Sequence, residues 1–149
     1  MLLNNNKKKI IINKFINLLM VNGKKYQAEK IFFDLLKLIK IQNKRSYVIL
    51  LFKALKIISP LVIVRLIRIK GRTFQVPIPL SEYKQLNTGM KWLVKKCKSE
   101  KILKNNPLSF ILLQKINLIF KKKGELIKKK IELHKLAQAN RLFANYRWF

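Results

Sequence analysis

Positive charge constrains this chain more than any other feature: 34 lysines and arginines stand against 6 aspartates and glutamates in 149 residues, a formal net charge of +28. Such a surplus repels itself in any compact state. Half of the residues are nevertheless hydrophobic, which is enough for one core of ordinary size, and the length argues against two domains. The expectation is a single domain over 1–149 whose unpaired charge is met by an outside polyanion, nucleic acid before anionic membrane.

Several chemistries are excluded by what is missing. One Cys (Cys97) and one His (His134) cannot build a Cys/His metal cluster or an intrachain disulfide, so no metal and no cofactor is expected. Glu125 and Glu132 would lie about 10 Å apart along a helix, and Glu132, four residues after Lys128 and three before Lys135, reads as helix pairing. His134 has no Ser, Cys or Asp beside it in sequence, which suits packing, hydrogen bonding or an RNA contact. Gly23, Gly71, Gly89 and Gly124 stand singly, so there is no glycine-rich phosphate loop. An enzyme is not expected. No apolar run approaches the ~18 residues of a spanning helix, and the start, Met1 to Lys9, has neither a secretory apolar stretch nor the features of a transit peptide. The chain is therefore expected to work where it is made. Lys (28), Ile (20), Asn (13) and Phe (9) far outnumber Ala (5), Gly (4), Pro (4) and Arg (6), the mark of an AT-rich gene from an organelle, a parasite or a bacterium.

Periodicity predicts a mainly α protein of about six helices with a protruding β-hairpin arm at about 61–79. After a short basic segment over 1–13, Phe15, Ile16, Leu18, Leu19 and Val21 fit an amphipathic helix that stops at Asn22-Gly23. Ala28, Ile31, Phe32, Leu35, Leu38 and Ile39 mark a second helix, with Lys30, Lys37 and Lys40 outside the stripe. Gln42 to Ser46 is a polar loop, and a third helix over Tyr47–Ile57 is ended by Ser59-Pro60. Leu61 to Ile69 is β-branched, and Thr73 to Ile78 puts Phe74, Val76 and Ile78 on one face, which predicts a hairpin turning at Lys70-Gly71. A fourth helix over Leu86–Lys98 carries Met90, Trp92, Leu93 and Val94. In the fifth, Asn106 is the expected cap, Pro107 the first helical residue and Leu108 to Phe120 the central core helix, with Lys121 to Gly124 closing it. The sixth is expected over Ile127–Tyr146.

The lysine runs Lys7-Lys8-Lys9, Lys24-Lys25, Lys95 to Lys98, Lys121 to Lys123 and Lys128-Lys129-Lys130 fall at helix ends or in flanking segments. Contact with several backbone strands of a folded RNA fits that placement better than one helix in a major groove. Phe15, Phe32, Phe33, Phe52, Phe110 and Phe120 follow helical stripes and are expected in the core. Tyr146-Arg147-Trp148-Phe149 reads either as a stacking platform or as a terminus docked on the core.

Three blocks resemble the family of bacterial-type small-subunit ribosomal protein seven. They are KFINLLMVNGKK at 14–25, LKIISPLVIVRLIRIKGRTFQVPIPL followed by MKWLV within 54–94, and the stretch 124–148 containing HKLAQANRLFANYRW. The resemblance covers nearly everything beyond the first dozen residues. It implies a helical domain with a β-ribbon arm that binds the 3′ major domain of small-subunit rRNA, organises the subunit head among neighbouring ribosomal proteins, and borders exit-site tRNA and mRNA. It implies rRNA contacts for Lys14, Lys24, Lys25, Arg65, Arg68, Lys91, Lys128, Lys129 and Lys130, to which the lysine runs add Lys7, Lys8, Lys9 and Lys95. Lys70, Gly71, Arg72, Tyr146, Arg147 and Trp148 would face the exit site. The family's paired glycines at the arm tip are Lys70-Gly71 here, a basic ribbon position is Ile67 beside Leu66, and a basic pair before the fourth helix is Lys84-Gln85. The arm is thus more apolar and suited to a protein neighbour. With the AT-rich composition, the resemblance points to a mitochondrial, organelle-encoded protein, with plastid or AT-rich bacterial cytoplasm as alternatives. The rival classes are a basic amphipathic protein on a membrane surface and a free RNA-binding protein.

Because self-repulsion between exposed charges is screened by salt, thermal melts of the free chain should shift to higher temperature between about 20 and 300 mM salt. A midpoint that stays constant would show that the cations are already compensated within the fold.

Overall fold

The computed structural model describes residues 5–42, 47–103 and 106–146. Six helices form, α1 (Asn5–Leu19), α2 (Lys25–Gln42), α3 (Tyr47–Ile58), α4 (Glu82–Leu103), α5 (Leu108–Phe120) and α6 (Glu125–Ala139). Between α3 and α4 run strands β1 (Val62–Ile69) and β2 (Arg72–Pro79), and a short 3₁₀ segment, Arg141–Tyr146, follows α6. The expected mainly helical architecture with a β-hairpin is the one observed.

Local chemistry explains most boundaries. Asn22 and Gly23 take positive φ values of 51° and 72°, the left-handed geometry that ends α1 and turns the chain into α2. Ser59 stops α3 by folding back on it: its backbone N–H and its hydroxyl both donate to Leu55 O, at 3.0 and 2.7 Å. β1 and β2 pair antiparallel from Val62 opposite Pro79 to Ile69 opposite Arg72. The two loop residues, Lys70 (φ 47°) and Gly71 (φ 80°), both have the positive φ of a type I′ turn, which matches the twist of a hairpin. Lys70 takes this backbone at a steric cost that a glycine would not incur.

The core is built around α5, whose Leu108, Ile111, Leu112, Leu113, Ile116 and Ile119 are buried. It packs on α2, α3 and α4, and the predicted stripe of α2 meets it with Ala28, Phe32, Leu35 and Ile39. Phe15 of α1 closes edge-on against Phe32, centroids 5.8 Å apart. α3 and α4 approach closely at Gly89, where an added Cβ would lie 2.9 Å from Ser59 Oγ and 3.4 Å from Leu55 O.

Several boundaries differ from the sequence-based expectation. α1 begins at Asn5 and absorbs most of the presumed basic segment, because Ile11, buried like Phe15, Ile16 and Leu19, extends the apolar stripe by a turn. α4 runs from Glu82, whose carboxylate suits the positive end of the helix dipole, to Leu103. Pro107, not Asn106, occupies the cap position of α5, and its carbonyl accepts from Phe110 and Ile111 N–H at 3.0 and 3.2 Å. The last helix is broken: Asn140 (φ −93°, ψ 17°) ends α6, and its side-chain amide donates to Leu136 O and Gln75 Oε1. Of the aromatics expected inside, Phe33, Phe110 and Phe120 are exposed at 56, 40 and 38%, since each stripe is wider than the face its neighbours cover. Of the loop expected over Gln42 to Ser46, Gln42 instead ends α2, and 43–46 lie outside the described residues.

Gly89→Ala gains about 1 kcal/mol of helix propensity but forces its methyl against a hydroxyl and a carbonyl already bonded to each other, an overpacking cost of about 1–3 kcal/mol. Net destabilisation is expected in urea unfolding of the two proteins. Equal or higher stability of the variant would show that α3 and α4 separate at little cost.

Candidate nucleic-acid interface

One run of three lysines points two ways. Consecutive helical residues differ by about 100°, so Lys128 and Lys129 are exposed while Lys130 is half-buried. Lys130 Nζ donates to Ile57 O at 2.7 Å, satisfying a carbonyl at the C-terminal end of α3, where the helix dipole favours a cation. Burial lowers its pKa. One turn on, His134 Nε2 accepts from Leu61 N–H at 3.2 Å, just ahead of β1. An accepting Nε2 puts the proton of a neutral ring on Nδ1. The His134 pKa is lowered, first by burial and then by the nearby Lys130 charge. Residues 130 and 134 of α6 thus grip the junction between α3 and the arm. The hydrogen-bonding role expected for His134 is the one found.

Lys98 does for α1 what Lys130 does for α3. Its Nζ donates to Leu18 O at 2.9 Å and Met20 O at 3.3 Å. A second internal network joins α4 to its neighbours: Lys96 pairs with Glu100 and Glu125, and Glu100 with Lys115 of α5. The Lys96 pKa is raised and the Glu125 pKa lowered, in both cases chiefly by the hydrogen bond they share. The pairing expected of Glu132 with Lys128 and Lys135 does not form, and Glu132 makes no ion pair among the described residues. Cys97 is buried within the core, and desolvation followed by the Glu100 charge pushes its thiol up to about 12, which leaves it protonated and inert.

Between α4 and α6 runs an open groove of about 530 Å³ lined by Trp92, Lys95, Lys96, Ser99, Glu125, Leu126, Lys128, Lys129 and Glu132. Lys129 Nζ sits over the Trp92 ring, 4.9 Å from its centroid, a cation–π contact. The groove unites three of the expected RNA-contact residues, Lys95, Lys128 and Lys129. Lys91 is exposed on α4 outside the lining. Lys24 and Lys25 are exposed at the α1–α2 turn, with Lys25 3.8 Å from Glu29. Lys14 is half-buried and Lys9 exposed on α1. Lys7 and Lys8 fall in α1, and their side chains lie outside the described ones. Trp92 has no role in the sequence-based reading beyond its place on the fourth helix; its lysine neighbours Lys91 and Lys95 are the signal that marks it.

The arm separates its own cations. Arg65 stands opposite Val76 and Arg68 opposite Thr73, so the two arginines project from opposite faces of the ribbon. Ile67, opposite Phe74, is half-buried, whereas Leu66 is exposed. Phe74 is clustered with Phe143 and Tyr146 of the 3₁₀ segment, centroids 5.3 and 5.5 Å away. Lys70, Gly71 and Arg72 are exposed at the tip. Tyr146 therefore docks on the arm while Arg147 and Trp148 lie outside the described residues. Gln85 donates from Nε2 to Leu80 O at 2.7 Å and braces the exit of the arm. Among the described residues no group of His, Cys, Asp and Glu could hold a metal ion, and no helix is long and apolar enough to cross a membrane.

Fold and surface together define a strongly basic helical protein with a two-stranded arm and a lysine-rimmed groove. A family model described as ribosomal protein S7p/S5e matches residues 2–141. Proteins named small ribosomal subunit protein uS7 are similar along most of their length. That of Wigglesworthia glossinidia brevipalpis is 36% identical over 138 residues, covering 93% of this chain and 86% of the relative. That of Dictyoglomus thermophilum is 34% identical over 139 residues, covering 93% and 87%, and that of Leptospira biflexa 38% over 141 residues, covering 93% and 86%. The chain belongs to the ribosomal protein S7p/S5e family, whose members are structural proteins and not enzymes.

The chain's single His gives a pH test of the grip on the arm. With the folded pKa below the ordinary ~6.5, the unfolded state binds more protons, so stability is full above about pH 6.5 and falls as pH drops toward the folded value. Urea unfolding between about pH 5 and 7.5 should follow that slope, and His134→Gln, which keeps an acceptor without titrating, should flatten it. An unchanged slope in the variant would remove His134 from the account.

Proposed function

We propose that this chain is a structural constituent of a small ribosomal subunit. In this proposal it binds the 3′ major domain of small-subunit rRNA, organises the subunit head and borders exit-site tRNA and the mRNA path. The observation that carries the proposal is the juxtaposition of exposed Lys95, Lys128 and Lys129 around one groove in a member of a ribosomal protein family. Lys24, Lys25, Lys91, Arg65 and Arg68 are exposed and are proposed as further phosphate contacts on separate rRNA segments, with Lys14 beside them. Clamping separate strands trades self-repulsion for phosphate neutralisation and release of condensed counterions. The arm tip, Lys70 to Arg72, with Tyr146 at the chain's end, is proposed to face the exit-site region.

We further infer that the ribosome is mitochondrial. The excess of Lys, Ile, Asn and Phe over Ala, Gly, Pro and Arg supports a gene kept in an AT-rich organellar genome, while the relatives compared are bacterial.

Sucrose-gradient fractionation of purified organelles at low and then high salt is the decisive measurement. Co-migration with the small subunit at both salts is expected. A peak in the soluble or membrane fractions would overturn the assignment. With purified small-subunit rRNA, replacing Lys128 and Lys129 by Gln should weaken binding and reduce the salt slope of log K by about 1.5. An unchanged slope would mean that the groove faces no phosphate.

A further inference from the structure

We propose that the groove between α4 and α6 seats one unpaired RNA nucleotide, its base stacked on the Trp92 indole and its flanking phosphates held by Lys95, Lys128 and Lys129. This inference rests on the RNA-binding role proposed above and names what that role puts in the groove.

The groove has a floor and a rim of different chemistry. Trp92 and the buried Leu126 supply an apolar floor, and lysines stand around it. A space of about 530 Å³ is within the range of sites that enclose small ligands. A phosphodiester backbone laid along the floor would meet two carboxylates, Glu125 and Glu132. Lys96 compensates the first, and the second makes no ion pair among the described residues. A base is uncharged, and its ring and exocyclic N–H groups are donors that a carboxylate accepts. The floor therefore selects the base and the rim the phosphates.

Trp92 also has a face available to a π-partner, because Lys129 Nζ already sits over its ring at 4.9 Å. An incoming base takes that place and frees the ammonium for the adjacent phosphate, so one exchange satisfies both groups. The walls are tied before binding, since Lys96 and Glu125 bridge α4 and α6 across the groove. Little ordering is left for the RNA to impose. A paired A-form helix keeps its bases stacked inside and cannot offer one to such a floor, whereas a loop or bulge can.

Trp92 and Trp148 are the two tryptophans of the chain, so Trp148→Phe leaves Trp92 as the single reporter, and every comparison is made in that background. Titration with an unstructured oligoadenylate should quench Trp92 emission. A blunt-ended RNA duplex of matched charge should bind, as read by the anisotropy of an end-labelled RNA, without quenching it. With binding read by the anisotropy of the labelled RNA, Trp92→Leu should weaken the oligoadenylate by about 5- to 150-fold, the usual worth of one base on an aromatic ring, and leave the duplex unchanged; Trp92→Phe should recover most of the loss. Unquenched emission at saturating oligoadenylate would overturn the inference while leaving RNA binding in place, as would equal weakening of both probes by Trp92→Leu. Binding of neither probe at low salt would instead defeat the RNA-binding role itself.

Discussion

The interaction on which the rest of the fold depends is the lysine ammonium donated to peptide carbonyls at a helix end. A chain with six carboxylates cannot pair 34 cations among its own side chains, yet every helix presents unsatisfied carbonyls and a partial negative charge at its C-terminus. Lys98 on Leu18 O and Met20 O, and Lys130 on Ile57 O, use the backbone as the missing counter-charge. The first pins the end of α1 to α4, and the second pins the end of α3 to α6. The desolvation that lowers the Lys130 pKa is the cost of that placement, and the ion–dipole hydrogen bond offsets it. Two of the six carboxylates add to this, Glu100 and Glu125 binding Lys96 and Lys115 where α4, α5 and α6 meet.

What the sequence makes legible follows from what periodicity encodes. The apolar stripe of α2 and the continuous run of α5 specify which face is buried, and Ala28, Phe32, Leu35 and Ile39 do meet the α5 core. The alternation from Thr73 to Ile78 and the glycine at 71 specify a hairpin, and the register follows from the two-residue turn. Partners are a different matter. Nothing in the spacing of α6 says that Lys130 reaches Ile57 or that Leu61 donates to His134, contacts 73 residues apart in sequence. The break at Asn140 is hidden for the same reason, because the residues that justify it, Gln75 and Phe74, lie on the arm. Phe33, Phe110 and Phe120 mislead because a stripe gives the width of an apolar face and not the width of what covers it.

The candidate site shows the same division between composition and placement. A run such as Lys128-Lys129-Lys130 reads as one basic patch, but helical rotation sends two ammoniums to the groove and one into the body. Net charge therefore overstates the surface offered to a polyanion, and lysines of equal standing in the sequence differ in whether they build the fold or face outward. Trp92 serves both sides, packed against the core from α4 while its ring carries a lysine at the edge of an open groove.

The arm is held by the same economy. A two-stranded ribbon alone is marginal in water, and this one buries Val76 while leaving Leu66, Arg65 and Arg68 outside. Its attachment comes from three directions: the His134–Leu61 hydrogen bond at the base, the Asn140–Gln75 bond midway, and the Phe74–Phe143–Tyr146 cluster nearer the tip. All three partners belong to α6 or to the segment that follows it. The arm and the segment Arg141–Tyr146 are thus one unit, which α6 carries on one face while its other face lines the groove.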